Sequence, residues 1–130
     1  MTRREAREEA FILIFEKQFN EADVNEILEI ASEVRDLVPN DYIKTVFCGV
    51  YDNLEELDST ISEHAIGWKI NRISKVRLCI LRLAIFEILN MADIPESVSV
   101  NEAVELCKKY ATKEDSAFVN GILSTVIKEL

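Results

Sequence analysis

The chain has 130 residues, 48 % of them apolar, and only three Gly and two Pro. It is long enough for one domain (1–130) with a real core, and its composition excludes collagen-like, low-complexity and turn-rich β architectures. Its net charge of −9 argues against a nucleic-acid partner, but the charge is unevenly spread. Residues 16–63 carry thirteen acids and three bases, whereas residues 64–86 carry Lys69, Arg72, Lys75, Arg77 and Arg82 and no acid, which leaves room for a basic surface.

The first helix is expected over residues 3–18. The run FILIF at 11–15 would suit a buried strand, but its flanks REAREEA and EKQ hold helix formers and no turn residue. After the polar link NEAD, a second helix follows, with Val24, Ile27, Leu28, Ala31 and Val34 at helical spacing. Pro39-Asn40-Asp41 breaks the chain and offers Asp41 as an N-cap. A long third helix is then expected, with the stripe Ile43, Val46, Phe47, Val50, Leu54, Leu57, Ile61 and Ala65, ending near Gly67.

Ser74 reads as the N-cap of a fourth helix over 75–90, apolar almost all round apart from Arg77, Arg82 and Glu87, as a central helix would be. Asp93-Ile94-Pro95 ends it. SVNE at 99–102 has the pattern of a capping box opening a fifth helix, which would bury Val100, Ala103, Val104, Cys107 and Tyr110. ATKED links to a last helix with Phe118, Val119, Ile122, Leu123, Val126, Ile127 and Leu130 on one face. Asn120-Gly121 would be a turn between strands, but the apolar register continues across it. Gly121 is therefore expected inside the helix, where a missing Cβ would admit a neighbouring backbone. The fold class is all-α, with six to seven helices.

No catalytic pattern emerges. Cys48, Cys79 and Cys107 are far apart and odd in number, which suggests buried thiols and no metal site. His64 has no nucleophile or ligand partner at useful spacing, and no phosphate-binding glycine loop or zinc-binding His pair is present. The remaining candidates are electrostatic. Arg3, Arg4 and Arg7 lie near one face of the first helix, where they either pair with nearby carboxylates such as Glu8 or meet an anion. Arg82 suits either a buried ion pair or a ligand contact.

The blocks WKINRISKVRLCILRLAIFEIL, IPESVSVNEAVELCKKYATKEDS and FVNGIL, in that order, together with RREAREEAFILIFEKQF, resemble the NusB family of bacterial transcription antitermination factors. The resemblance implies two three-helix subdomains packed crosswise, here roughly 1–66 and 67–130, and no enzymatic activity or cofactor. It implies binding of single-stranded boxA RNA in ribosomal RNA leaders together with NusE, a small-subunit ribosomal protein. Assembly with NusA, NusG and RNA polymerase would follow. Carried over by position, the RNA-binding residues would be Arg3, Arg4 and Arg7 at the start of the first helix, and Lys113 and Phe118 in the segment leading into the last. Phe86 and Glu87 would serve the NusE interface. Three residues depart from the family pattern: Glu5 interrupts the arginine run, Ala117 stands where many members have Lys, and Arg77 occupies a commonly acidic position. A NusB-like RNA-binding domain of a ribosomal RNA cytosine methyltransferase, or a helical adaptor without RNA, are the alternative readings. The sequence leaves monomer or homodimer open. No apolar run approaches the ~20 residues that span a bilayer and MTRREAREEA lacks a signal-peptide core, so a cytoplasmic location is expected.

Overall fold

The computed structural model describes residues 1–130 and contains helices and no strand. The chain order is α1 (Arg3–Lys17), α2 (Val24–Arg35), α3 (Asp41–Asp52), α4 (Leu54–His64), a single 3-10 turn (Ile70–Arg72), α5 (Lys75–Asn90), α6 (Glu96–Tyr110) and α7 (Lys113–Lys128). No helix is long and apolar enough to cross a membrane. The helices fall into two compact units, Met1–Asp52 and Asn53–Leu130.

In the first unit α1 packs mainly on α3, with α2 alongside. Ala6 and Ala10, one turn apart and fully buried, keep that face of α1 thin, while Leu13 and Ile14 extend it. The facing side of α3 contributes Ile43, Val46, Phe47 and Val50, all buried. Tyr51 ties the pair at its far end: its hydroxyl donates to the Ile14 carbonyl (2.6 Å) and accepts from Gln18 Nε2 (2.7 Å). On α2 only Ile27 and Ala31 are buried, and Val34, expected in the stripe, is 79 % exposed. The N-cap of α3 is Asn40, one residue before the Asp41 expected from sequence, because the Asn40 side chain accepts from the Ile43 N–H (2.9 Å).

The long third helix of the sequence reading is two helices. The chain breaks at Asn53 (φ −117°, ψ 21°), and the Leu57 N–H bonds the Asn53 carbonyl (2.9 Å) to start α4. Val50, Leu54, Leu57 and Ile61 keep three- and four-residue spacing across the break, so periodicity alone does not reveal it. The boundary between units accordingly lies at Asn53, not near residue 66. The first unit has three helices, and the second has four with the 3-10 turn.

In the second unit α5 packs against α4, α6 and α7, and its residues from Leu78 to Glu87 are all buried. Ser74 caps it as expected, accepting from the Arg77 N–H (3.3 Å). The two buried charges on α5 have partners from different helices. Arg82 makes a two-pronged contact with Asp58 of α4, Nε to Oδ1 at 2.7 Å and Nη2 to Oδ2 at 2.8 Å. Glu87, fully buried, accepts from the Ser99 hydroxyl of α6 at 2.8 Å. Ser99 is thus no N-cap. Pro95, with its fixed φ and no N–H to satisfy, opens α6 four residues earlier and places Ser99 inside the helix. The capping box of this unit lies in ATKED instead, where Thr112 and Asp115 exchange side-chain and backbone bonds at the start of α7 (3.1 and 3.0 Å).

Cys79 and Cys107 are buried, Cys48 is half-buried, and all three are free thiols. Burial pushes Cys79 up to about 12 and Cys107 up to about 11, so neither holds appreciable thiolate at neutral pH. Gly121 lies within α7, but no backbone approaches it: a Cβ there would meet nothing within 4 Å. Close helix packing is therefore not its purpose, and Gly121→Ala is expected to raise stability by about 0.5–1 kcal/mol, read from chemical denaturation.

His64 joins α4 to the end of α7. Its Nδ1 lies 2.7 Å from the Thr60 carbonyl and its Nε2 2.8 Å from Glu129 Oε2. Both neighbours accept hydrogen bonds, which favours the doubly protonated ring. The pKa is raised above 6.5, first by the Thr60 carbonyl and then by Glu129. A raised histidine pKa stabilises the fold fully below the unfolded value, and that contribution is lost as pH rises through the folded value. Thermal stability measured across neutral to mildly alkaline pH should therefore fall in the wild type, and Glu129→Ala should flatten that slope.

Candidate nucleic-acid interface

At the start of α1, Thr2 and Glu5 form a capping box. The Glu5 carboxylate accepts from the Thr2 N–H (2.8 Å) and the Thr2 hydroxyl accepts from the Glu5 N–H (3.1 Å). The Thr2 backbone hydrogen bond holds the Glu5 carboxyl below its usual pKa. Glu5 therefore interrupts the arginine run for a structural reason: it fixes the helix end from which the arginines project.

Those arginines occupy different environments. The Arg3 guanidinium lies 4.6 Å from the centroid of the Tyr42 ring, and that of Arg7 lies 5.6 Å from the same ring. Arg7 is only 3 % exposed, whereas Arg3 and Arg4 are exposed. Tyr42, buried near the start of α3, is thus a platform that orders two guanidinium groups, an arrangement of about 0.5 to 2 kcal/mol per contact depending on exposure. Arg35 of α2 is drawn instead to the carboxylate of Glu9. Cations ordered at a helix N-terminus add to the positive end of its dipole and favour phosphate there.

At the start of α7, Lys113 is exposed in the first turn and Phe118 is half-buried one turn on. Phe118 meets Trp68 edge-on, with centroids 5.4 Å apart and planes at 70°. Arg77, near the start of α5, lies over both rings, 4.5 Å from the Phe118 centroid and 5.5 Å from that of Trp68. Its Nε also reaches Asp115 Oδ1 (3.4 Å) and donates to the Ser74 hydroxyl (3.1 Å). Ala117, where a cation is missing, is exposed beside this cluster. Arg77 thus brings a positive charge to the aromatic pair from another helix and offsets the Asp115 carboxylate.

Residues 68, 77 and 118 are brought together only by the fold. The one sequence clue was the acid-free stretch 64–86, which contains both Trp68 and Arg77. The structure takes Arg82 out of that basic group, since its partner is Asp58. It also gives Phe86 and Glu87 a different setting from an exposed partner face: Phe86 is buried, and Glu87 is buried and engaged with Ser99.

The helical order and the two clusters of a guanidinium over an aromatic ring belong to a small all-α protein with ordered arginines at the starts of α1 and α5. The NusB family model matches residues 4–128, and the chain belongs to that family. It is 48 % identical to the transcription antitermination protein NusB of Ruminiclostridium cellulolyticum over 98 % of this chain and 90 % of that one. It is 44 % identical to the protein of the same name from Clostridium novyi over 98 % and 99 % of the two chains. Among solved structures, T. maritima NusB superposes with a TM-score of 0.86 at 34 % identity, covering 99 % of this chain and 92 % of that one. A chain from the complex of the antitermination factors NusB and NusE with double-stranded RNA gives 0.87 at 27 % identity, covering 98 % and 97 %.

Removing the Ser99 hydroxyl would take one hydrogen-bond donor from the buried Glu87 side chain. Ser99→Ala is expected to cost about 1–3 kcal/mol in urea unfolding, with helical content retained.

Proposed function

We propose that this protein pairs with NusE to hold single-stranded boxA-type RNA of ribosomal RNA leaders, and with it joins NusA, NusG and RNA polymerase to oppose premature termination. It acts as a non-catalytic adaptor in the cytoplasm. The observation that carries this reading is the recurrence of one device: at both segments that family resemblance marks for RNA, an arginine lies over an aromatic ring. Single-stranded RNA is held by cations on its phosphates and by stacking of its splayed bases on aromatic or guanidinium planes. The complex of NusB and NusE with double-stranded RNA among the structural relatives supports NusE and RNA as partners. Identities of 48 % and 44 % to antitermination proteins favour this reading over a methyltransferase domain.

In this reading Arg3, Arg4, Lys113 and Phe118 touch RNA, and Arg7, being buried, positions Arg3 through Tyr42. Phe86 and Glu87, which resemblance offers for the NusE interface, are buried and hold α5 against its neighbours. With few cations, the chain alone binds RNA weakly and with marked salt dependence. Anisotropy titration of labelled boxA RNA should therefore show weak binding to this chain alone and at least about tenfold tighter binding when its cognate NusE is added. Arg3→Glu with Arg4→Glu should weaken binding while helicity is retained, and both are better targets than the buried Arg7. Equal affinity with and without NusE contradicts the pairing, and RNA binding indifferent to both reversals places the RNA elsewhere.

A further inference from the structure

Trp68 separates two depressions of different character within the second unit. On one side is an open, polar hollow of about 600 Å³ lined by Gly67, Trp68, Lys69, Asn71 and Arg72. On the other is a smaller, more apolar one of about 270 Å³, with Ile66, Trp68, Ala117, Phe118 and Gly121 among its walls. Trp68 is 47 % exposed although it is the only Trp of the chain and its ring already contacts Phe118 and Arg77. Lys69 and Arg72 are exposed, and no acidic residue lies between positions 64 and 86.

A nucleotide has the same two-part character, a planar base and an anionic phosphate. We propose that Trp68 is a stacking platform for one base of single-stranded RNA, seated in the hollow between Trp68, Phe118 and Gly121, with Lys69 and Arg72 on the adjoining phosphates. The inference rests on the RNA-binding function above and extends its surface from α7 onto the 66–72 segment. It also accounts for two small residues. Ala117 and Gly121 lie on the wall of the hollow one turn apart, and the absent Gly121 side chain leaves open space where a Cβ would meet nothing within 4 Å. Arg77 pins the Trp68–Phe118 pair from one side and neutralises the nearby Asp115, which would otherwise repel phosphate. Stacking supplies sequence-tolerant affinity, and the two cations add a salt-sensitive component.

The test uses the wild-type chain carrying 5-fluorotryptophan, in complex with unlabelled cognate NusE, so that one ¹⁹F resonance reports Trp68 alone. Addition of single-stranded boxA-type RNA should shift that resonance in step with binding followed by anisotropy. Trp68→Leu should weaken binding about tenfold, and Lys69→Gln and Arg72→Gln should each lower the slope of log affinity against log salt by about 1. Gly121→Leu, which fills the hollow, should weaken RNA binding without loss of thermal stability, a pairing that a purely structural role would not produce. If RNA binds while the resonance stays put and Trp68→Leu binds as wild type, this inference is overturned and the RNA-binding function stands. If no RNA binds in the presence of NusE, both are overturned.

Discussion

The second unit depends on how two charges are buried on one apolar helix. α5 is covered on nearly every side, and Arg82 and Glu87 sit within the covered stretch. An ion taken out of water costs several kcal/mol unless geometry and hydrogen bonds compensate. Asp58 on α4 and Ser99 on α6 supply part of that compensation from two directions. A rotation or one-residue slip of α5 would strand both charges, so these contacts fix its register as apolar packing alone would not. Arg77, five residues before Arg82, emerges about 140° round the helix. The pairing that holds Arg82 therefore also settles where Arg77 meets Trp68 and Phe118.

The sequence shows most of the helices because their signals are local. Ser74 before an apolar run, the break around Pro39, and helix formers flanking FILIF each act within a turn or two of the element they define. Failures came where one pattern served two purposes. The three- and four-residue apolar spacing ran unbroken through Asn53, although α3 and α4 pack against different helices. SVNE matched a capping box, but Pro95 had already opened α6, and Ser99 was needed for Glu87. The boxes that exist, Thr2 with Glu5 and Thr112 with Asp115, lay in segments read as an arginine run and as a link.

The candidate site was legible in parts. Arg3, Arg4, Lys113 and Phe118 could be named from resemblance, but their neighbours could not. Tyr42 lies in a different helix from the arginines it orders, and Trp68 and Arg77 reach Phe118 across 50 and 41 positions of sequence. No periodicity reports such convergence. Gly121 is helical, as the unbroken apolar register implies, but it faces a hollow and no neighbouring backbone, a distinction that carries no signal in the sequence.

Charge segregation reconciles an acidic chain with an anionic ligand. The net charge of −9 is concentrated in residues 16–63, while the segments assigned to RNA hold ordered arginines and exposed lysines. Photocrosslinking of the complex with NusE to single-stranded RNA containing 4-thiouridine, followed by peptide mapping, tests this assignment most directly. Adducts are predicted in the first turns of α1 and in the segments containing Trp68 and Phe118. Adducts confined to the acidic stretch of residues 21–63 would contradict it.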